Sequence, residues 1–328
     1  MARDVVRWGL LGTARINRAL IPRMHELPRH ELVAVASRDG ARARAYAAEW
    51  EIPCAYGSYE EMLSAHDIDA VYVPVPNALH AEWTVAAIRA GKHVLCEKPL
   101  TTSLADHDEV EAAARATGRV VTEAFMYRHH EQTQRVVTLV ASGALGAITL
   151  VKGAFTFWLS RDHDVRLDPW LGGGSLWDVG CYPVSYARTI LGQEPVEAMG
   201  MQQPSTAGVD LTFAGQLRFP SGTVLQFDSG FRAHFRTSIE IVGSEGVLTI
   251  PNAFKPGPRE TLHLRRGDET RPVEIEGSPL YSGELEDMAD AILLGRPPRI
   301  TLADSRGNLQ AILALHRSAS TGRVERVS

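Results

Sequence analysis

The order of apolar and polar positions follows two regimes that change near residue 124. In the first regime, short apolar runs alternate with helical patterns. Residues 5–11 (VVRWGLL) form a strand-like run, and 12–17 (GTARIN) open a helix. The runs at 31–36 (ELVAVA), 53–56, 70–75 (AVYVPV), 93–96 and 119–123 read as further strands. Between them, 41–50, 59–65, 78–90 and 104–117 carry the spacing of amphipathic helices. Gly91 closes the helix at 78–90. Strands alternating with helices predict an α/β fold with a doubly wound parallel sheet.

The second regime is different. Residues 131–142 read as a helix closed by Gly143, and 147–159 as a long strand of β-branched and aromatic residues. A charged loop (161–170, RDHDVRLDPW) leads to GGGSLWDVGCYPVSYAR at 172–188. Strands at 195–203, 208–219, 223–231, 237–242 and 246–250 follow, punctuated by Gly, Pro and Ser. Short turns between successive strands predict a mostly antiparallel sheet. Helices at 280–295 and 302–319 close the chain. The expected domains are 1–124 and 125–328, with the last helix packing back on the first. No internal repeat or low-complexity linker separates them. His129 and His130, in the polar stretch RHHEQTQ, are expected to face solvent.

Composition narrows the function. Hydrophobic residues make up 45% of the chain and charged residues 22%, as in ordinary globular proteins. The net charge of −5, without a basic stripe, argues against nucleic-acid binding. The N-terminus lacks the apolar core of a signal peptide, and no run reaches the length of a membrane span. Cys54, Cys96 and Cys181 are odd in number and far apart. They read as buried free thiols of a cytoplasmic protein. None has metal-ligand spacing with His, so no metal is expected.

The candidate chemistry collects at the strand ends, where ligands bind in parallel sheets. Gly12, Thr13, Ala14, Arg15 and Ile16 turn a strand into a helix, a seat for pyrophosphate. The fingerprint wants Gly at its second and third positions; Ala14 and Asn17 stand there, and Asn17 suggests looser helix–strand packing. The second strand ends on Ser37-Arg38 rather than on an acid. A hydroxyl and a guanidinium suit the 2′-phosphate of NADP better than the free ribose of NAD. The alternative is a solvated turn in which Asp39 caps the next helix. Pro76-Asn77 and Glu97-Lys98 end two further strands. His80 either lines the cofactor pocket or packs beneath it. Lys98 is held extended by Pro99, where a cis bond is open to it. It is one of only four lysines (92, 98, 152, 255) in a chain of thirty arginines. A lysine fixed there reaches over a nicotinamide; the alternative is a solvated loop lysine.

In 172–188 the three glycines allow close backbone approach and start a helix. Asp178 and Tyr182, four apart, are expected to share one helix face. They are either a presented acid and phenol, or a first-turn carboxylate and a core tyrosine. Arg161, His163 and the acids of their loop either contact a polyhydroxylated substrate or are solvated. Trp158 and Trp170 are candidate aromatic walls, and Trp177 reads as core packing.

Taken together, GLLGTARIN at 9–17, VPVPNALH at 73–80, EKP at 97–99 and GGGSLWDVGCYP at 172–183 resemble the Gfo/Idh/MocA oxidoreductase family. The resemblance spans nearly the whole chain in motif order and spacing. It implies an N-terminal Rossmann domain and a C-terminal α/β domain whose open sheet packs against another subunit, giving a homodimer or homotetramer. It also implies hydride exchange between a pyridine nucleotide and a carbohydrate-like carbinol or ketone. The family's catalytic lysine falls on Lys98 and its aspartate on Asp178. The inositol-dehydrogenase branch has His four residues after that aspartate, where this chain has Tyr182. That departure points to the branch with glucose–fructose oxidoreductase, dimeric dihydrodiol dehydrogenase and NADP-dependent xylose dehydrogenase. The resemblance makes Tyr182 the expected base and Lys98 its electrostatic partner. Pro76, Asn77, His80 and Glu97 join the cofactor site. The expected function is an NADP-dependent aldopyranose dehydrogenase acting on a sugar such as xylose or glucose. An NADPH-dependent ketosugar reductase and a trans-dihydrodiol dehydrogenase are its alternatives. The intact set of Lys98, Asp178 and Tyr182 argues against a non-enzymatic nucleotide sensor.

Overall fold

The computed structural model describes residues 4–161 and 163–328. The chain forms two compact units. The first comprises 1–126 and 281–305, the second 127–280 and 306–328.

In the first unit six parallel strands lie in the order β3-β2-β1-β4-β5-β6. They are β1 (Val6–Leu11), β2 (His30–Ala36), β3 (Cys54–Tyr56), β4 (Ala70–Val73), β5 (His93–Glu97) and β6 (Val121–Ala124). The connecting helices are α1 (Asn17–Glu26), α2 (Gly40–Glu49), α3 (Tyr59–Ser64), α4 (His80–Arg89) and α5 (Leu104–Thr117). The strands are mostly apolar, as expected where both sheet faces are covered. Leu11, Val71, Val73 and Val94 pack on one side with Ile88 and Val110. Trp8, Leu10, Tyr72 and Leu95 pack on the other with Leu20, Met24, Leu285 and Met288. The order reverses between β1 and β4, which places a ligand crevice beyond their C-terminal ends.

The division of the chain differs from the expected single boundary. The penultimate helix, Ser282–Leu294, packs on β1 and α1, and residues up to Ser305 belong to the first unit. Its Leu285, Met288 and Ala289 are wholly buried there. Arg29 forms ion pairs with Glu286 and Asp290, and Thr122 Oγ1 donates to the Ile300 carbonyl at 2.7 Å. The final helix, Leu302–Thr321, contributes its first turn to this unit and the rest to the second.

The second unit carries α6 (Glu131–Ala141), β7 (Ile148–Trp158), α7 (Cys181–Leu191) and strands β8 (Glu197–Pro204), β9 (Asp210–Arg218), β10 (Val224–Gly230), β11 (Arg232–Arg236), β12 (Ile239–Gly243), β13 (Val247–Ile250), β14 (Arg259–Arg266), β15 (Glu269–Glu276) and β16 (Glu325–Arg326). Its sheet runs β15-β14-β13-β12-β7-β10-β9-β8-β16, with β11 (Arg232–Arg236) added on β7. The pairs are antiparallel apart from β7 with β10 (Val224–Gly230). Parallel pairing needs a long crossover, and α7 lies within this one. Gly153 lets α7 lie close on β7, since a Cβ there would stand 2.7 Å from Pro183 Cβ. Strands β11, β14 (Arg259–Arg266) and β15 (Glu269–Glu276) were hidden in the sequence. They are charge-rich, mostly exposed strands without the apolar alternation that marks a core face.

His130 is buried, contrary to its expected solvent exposure. Its Nδ1 accepts from Gln132 N at 3.1 Å and caps α6, so a polar stretch here serves a helix start. His129 is half-buried.

Candidate active site

Gly12 follows β1 with φ +119°, a conformation that glycine tolerates. A Cβ there would also stand 3.2 Å from the Tyr59 hydroxyl. Asn17 does not loosen the packing. It is fully buried, and its Nδ2 donates to the Gly12 carbonyl at 2.8 Å. The amide therefore ties the helix start to the turn and replaces the close approach that a third glycine provides. Thr13 and Ala14 are half-buried beside it, as is Ile16, and Arg15 is exposed.

At the end of β2, Asp39 is the N-cap of α2 and accepts from Ala41 N and Arg42 N. Ser37 is buried, and its Oγ accepts from Asp39 N at 3.3 Å. Arg38 is exposed at the strand end. Arg42, which sequence reasoning passed over, donates to the Thr13 carbonyl at 3.4 Å. Its position one turn after Arg38 was the available signal.

Pro76 and Asn77 open a 3₁₀ turn, in which Leu79 N donates to the Pro76 carbonyl at 2.8 Å. His80 is buried, with ring nitrogens 2.7 Å from the Pro99 carbonyl and 2.8 Å from that of Val75. Burial pushes the imidazole down to about 4, against the pull of both carbonyl oxygens. His80 therefore does not line a pocket with a ring nitrogen. It braces the two loops that end β4 and β5.

The segment carrying Lys98 is tied at three points. Tyr72 Oη donates to Glu97 Oε1 at 2.5 Å, Leu100 N donates to Glu123 Oε1 at 3.0 Å, and His80 holds Pro99. The Lys98–Pro99 bond is cis, and Lys98 is half-buried. A third carboxyl, Glu284, lies buried nearby, and neither of its oxygens has a hydrogen-bond partner among the described residues. Burial, then Glu97, pushes Glu284 well above the usual carboxylate range. A Glu in a helix first turn gave no sequence signal of this.

In the second unit the three glycines do separate work. Gly172 has φ +75° and ends a 3₁₀ turn. A Cβ on Gly173 would stand 2.5 Å from the Arg166 carbonyl. Gly174 has φ +123°, and a Cβ there would overlap Asp210 Oδ1. The expected continuous α-helix is interrupted. Leu176–Gly180 form a π turn, and α7 begins at Cys181. A wider turn changes the register, so four-residue spacing alone does not set one face. Asp178 Oδ2 accepts from Arg166 Nε at 2.6 Å, a partner that sequence reasoning missed inside the charged loop. Arg166 Nη1 also donates to Asp164 Oδ1 at 3.2 Å. Tyr182 is buried among aromatic rings, with centroids of Phe155 at 5.1 Å, Phe254 at 5.5 Å and Tyr127 at 5.6 Å.

Of the candidate substrate residues, Arg161 and His163 are exposed, and Arg161 stands 4.0 Å from Asp164. Asp162, an acid of the same loop, lies outside the described residues. Trp158 is 64% and Trp170 88% exposed. The Arg232 guanidinium covers the Trp158 ring at 5.5 Å. Trp177 packs on His316 at 5.1 Å, as core. Among the described residues no three metal-binding side chains cluster, and no helix is long and apolar enough to cross a membrane.

These sites sit in a chain whose relatives are known. The model of an oxidoreductase family with an NAD-binding Rossmann fold, GFO/IDH/MocA, matches residues 6–125. That of the GFO/IDH/MocA C-terminal domain matches 133–249. The D-xylose 1-dehydrogenase (NADP(+)) 2 of Haloferax volcanii is 40% identical, covering 96% of this chain and 98% of its own. The chain belongs to the Gfo/Idh/MocA oxidoreductase family. Another relative, the dTDP-3,4-didehydro-2,6-dideoxy-alpha-D-glucose 3-reductase of Saccharopolyspora spinosa, is 39% identical over 77% of each chain. A 3-ketoreductase from Actinomadura kijaniata, solved with NADP and TDP-benzene, superposes with a TM-score of 0.90. It is 31% identical, over 96% of this chain and 98% of its own. Solved variants of that enzyme replace a tyrosine by phenylalanine and a lysine by alanine or glutamate. As a Gfo/Idh/MocA member this chain is an oxidoreductase of sugar-related substrates.

Proposed function

We propose that the protein is an NADP-dependent aldose dehydrogenase that oxidises the anomeric carbinol of a pyranose such as xylose or glucose. The observation that carries the reading is the fixation of Lys98 at the rim of the parallel sheet, through bonds to Glu97, Pro99 and Leu100. The 40% identity to a D-xylose 1-dehydrogenase over almost the full length of both chains supports the substrate class.

The Gly12 turn and the α1 N-terminus would hold the pyrophosphate, since the turn conformation fits glycine and a helix start leaves backbone N–H groups without internal partners. Ser37 and Arg38 would hold the 2′-phosphate, because Asp39 spends its carboxylate on α2. Pro76 and Asn77 would flank the nicotinamide. When bound, the nucleotide supplies the hydride acceptor. Tyr182 takes the hydroxyl proton. A free phenol titrates near about 10, and a nearby ammonium lowers that value. Lys98 would be that ammonium, and it would also bond the alkoxide oxygen as charge develops there. Asp178, held by Arg166, orients a substrate hydroxyl. In the reverse direction Tyr182 returns its proton to a carbonyl oxygen.

A second reading, reduction of a nucleotide-linked ketosugar, is favoured by Lys255. Its Nζ stands 5.7 Å from the Phe155 ring and 6.0 Å from that of Phe235. Phe155 in turn packs edge-on to Tyr182. A cation over the ring that packs on Tyr182 suits a phosphoryl group. The assembly is a cytoplasmic homodimer or homotetramer through the second-unit sheet, where Met201 is 70% exposed. Light scattering of the purified protein tests this.

The deciding experiment follows absorbance at 340 nm with NADP or NAD and a panel of aldopyranoses, inositols and trans-dihydrodiols. NADPH formation with an aldopyranose supports the dehydrogenase. No oxidation of any alcohol, with NADPH consumed on a dTDP-ketosugar, moves the function to the reductase. Failure to bind either nucleotide overturns both.

A further inference from the structure

Beneath the glycine-led segment lies a polar cluster that the mechanism above does not use. Asp210, at the start of β9 (Asp210–Arg218), is buried. Its Oδ2 accepts from Ser175 Oγ at 2.6 Å and from Leu176 N at 2.8 Å. Ser175 Oγ stands 3.1 Å from Ser229 Oγ on β10, and both serines are wholly buried.

The cluster bonds the π turn at its start and lies against it at its end. Leu176 is its first residue, and its N–H is one of the donors that a helix start leaves without an internal partner. A carboxylate answers that donor well, because the bond is charge-assisted and lies at the positive end of the helix dipole. At the other end a Cβ on Gly180 would stand 2.9 Å from Ser229 Oγ. Gly174 approaches Asp210 so closely that no side chain fits. The glycines at 174 and 180 thus let the backbone close on a buried Asp–Ser–Ser cluster from both sides. Burial raises the Asp210 carboxyl, while its bonds to Ser175 and Leu176 pull it back. Burying a carboxylate is costly unless hydrogen bonds answer it, and here the answering donors belong to the start of the turn.

We propose that Asp210 is a positioning residue, which pins the start of the π turn and so aims the Asp178 carboxylate that this turn carries. The proposal rests on the reading that Asp178 and Tyr182 serve the reaction. Asp210 itself touches no reacting atom. A misplacement of about 1 Å at a reacting group costs roughly a hundredfold in rate, so a loosened turn is expected to show in turnover.

The test is a double-mutant cycle with Asp210→Asn and Asp178→Asn, read on folded protein. Asp210→Asn keeps the shape and one acceptor oxygen, and so spares the fold. Alone it is expected to lower kcat about tenfold or more. NADPH affinity, measured by fluorescence titration, stays within about twofold, as expected for a site built elsewhere in the chain. In the Asp178→Asn background the same change is expected to cost less than about twofold, because there is no longer a carboxylate to aim. A purely structural Asp210 predicts a lower melting temperature with unchanged kcat, or equal losses in both backgrounds. Either result overturns the proposal. Tyr182→Phe is the control for the functional reading. If Asp178→Asn and Tyr182→Phe both turn over like wild type, that reading falls and the proposal falls with it. If both are slow while Asp210→Asn matches wild type, the proposal alone is lost.

Discussion

Arg166 Nε donates to Asp178 Oδ2 at 2.6 Å, and the same guanidinium reaches Asp164 with Nη1. The attraction of Asp178, against the cost of burial, raises the already high proton affinity of Arg166. Arg166→Leu removes the cation that bridges Asp164 and Asp178, while Arg161 stays at 4.0 Å from Asp164. Turnover is expected to fall about tenfold or more as Asp178 turns away. The Arg166 side chain is 39% exposed, so the stability cost is modest, about 1 kcal/mol. Steady-state kinetics alongside NADPH titration checks this. Unchanged turnover with lost NADPH binding would move Arg166 to the cofactor.

Tyr182→Phe keeps the ring contacts with Tyr127, Phe155 and Phe254 and removes the hydroxyl alone. Turnover is expected to fall about 10²–10⁴-fold, the range for loss of a general acid–base group. NADPH affinity stays nearly constant. Turnover close to wild type removes Tyr182 from proton transfer.

Arg38→Ala is expected to weaken NADP binding about 10–100-fold, as loss of charge-assisted bonds to a phosphate does. NAD binding changes little, because Asp39 remains committed to the α2 N-terminus. Titrating both nucleotides into both proteins decides it. An equal loss for the two nucleotides would sink the 2′-phosphate assignment.

Glu284 gives a pH-dependent stability effect. Its carboxyl keeps a proton to higher pH in the folded chain than in the unfolded one, through burial first and Glu97 second. Above about pH 4.3 the folded state therefore binds more protons, and stability falls as pH rises toward the folded value. Glu284→Gln cannot ionise. It is expected to match wild type near pH 4 and to melt higher at neutral pH. The gain grows by at most about 1.4 kcal/mol per pH unit between the two values. Calorimetry from pH 4 to 8 measures this, and a constant difference across the range would show Glu284 ionised in the native state.

Much of the architecture was legible because the first unit obeys a simple rule. Each of its strands is mostly apolar on both faces and each helix has one apolar stripe, so elements such as α5 fall where the pattern places them. The glycine-led segment and the rim positions of Lys98 and Arg38 were legible for the same reason. What stayed hidden depends on tertiary partners. Asn17 read as a flaw in the nucleotide turn, yet its amide completes that turn through a bond to Gly12. The start of the π turn bonds to Asp210, a residue more than thirty positions away in a strand that reads as ordinary. Arg166 was one of several charges in a loop, and only its reach to Asp178 distinguishes it. Strands β14 and β15 pair along an exposed hairpin, where no buried face enforces an apolar rhythm.

The first unit is discontinuous, and this bears on how the chain is made. The sheet face with Trp8, Leu10 and Tyr72 is covered by Leu285 and Met288, which leave the ribosome only after residues 127–280 of the second unit. At about 5–20 residues per second, that face waits on the order of ten seconds or more for its cover. A nascent chain stalled before residue 281 exposes a tryptophan-bearing apolar surface, the kind of surface that holdase chaperones grip. Residues 281–305 join the first unit and 306–328 the second, so both units take up late-made segments of the chain.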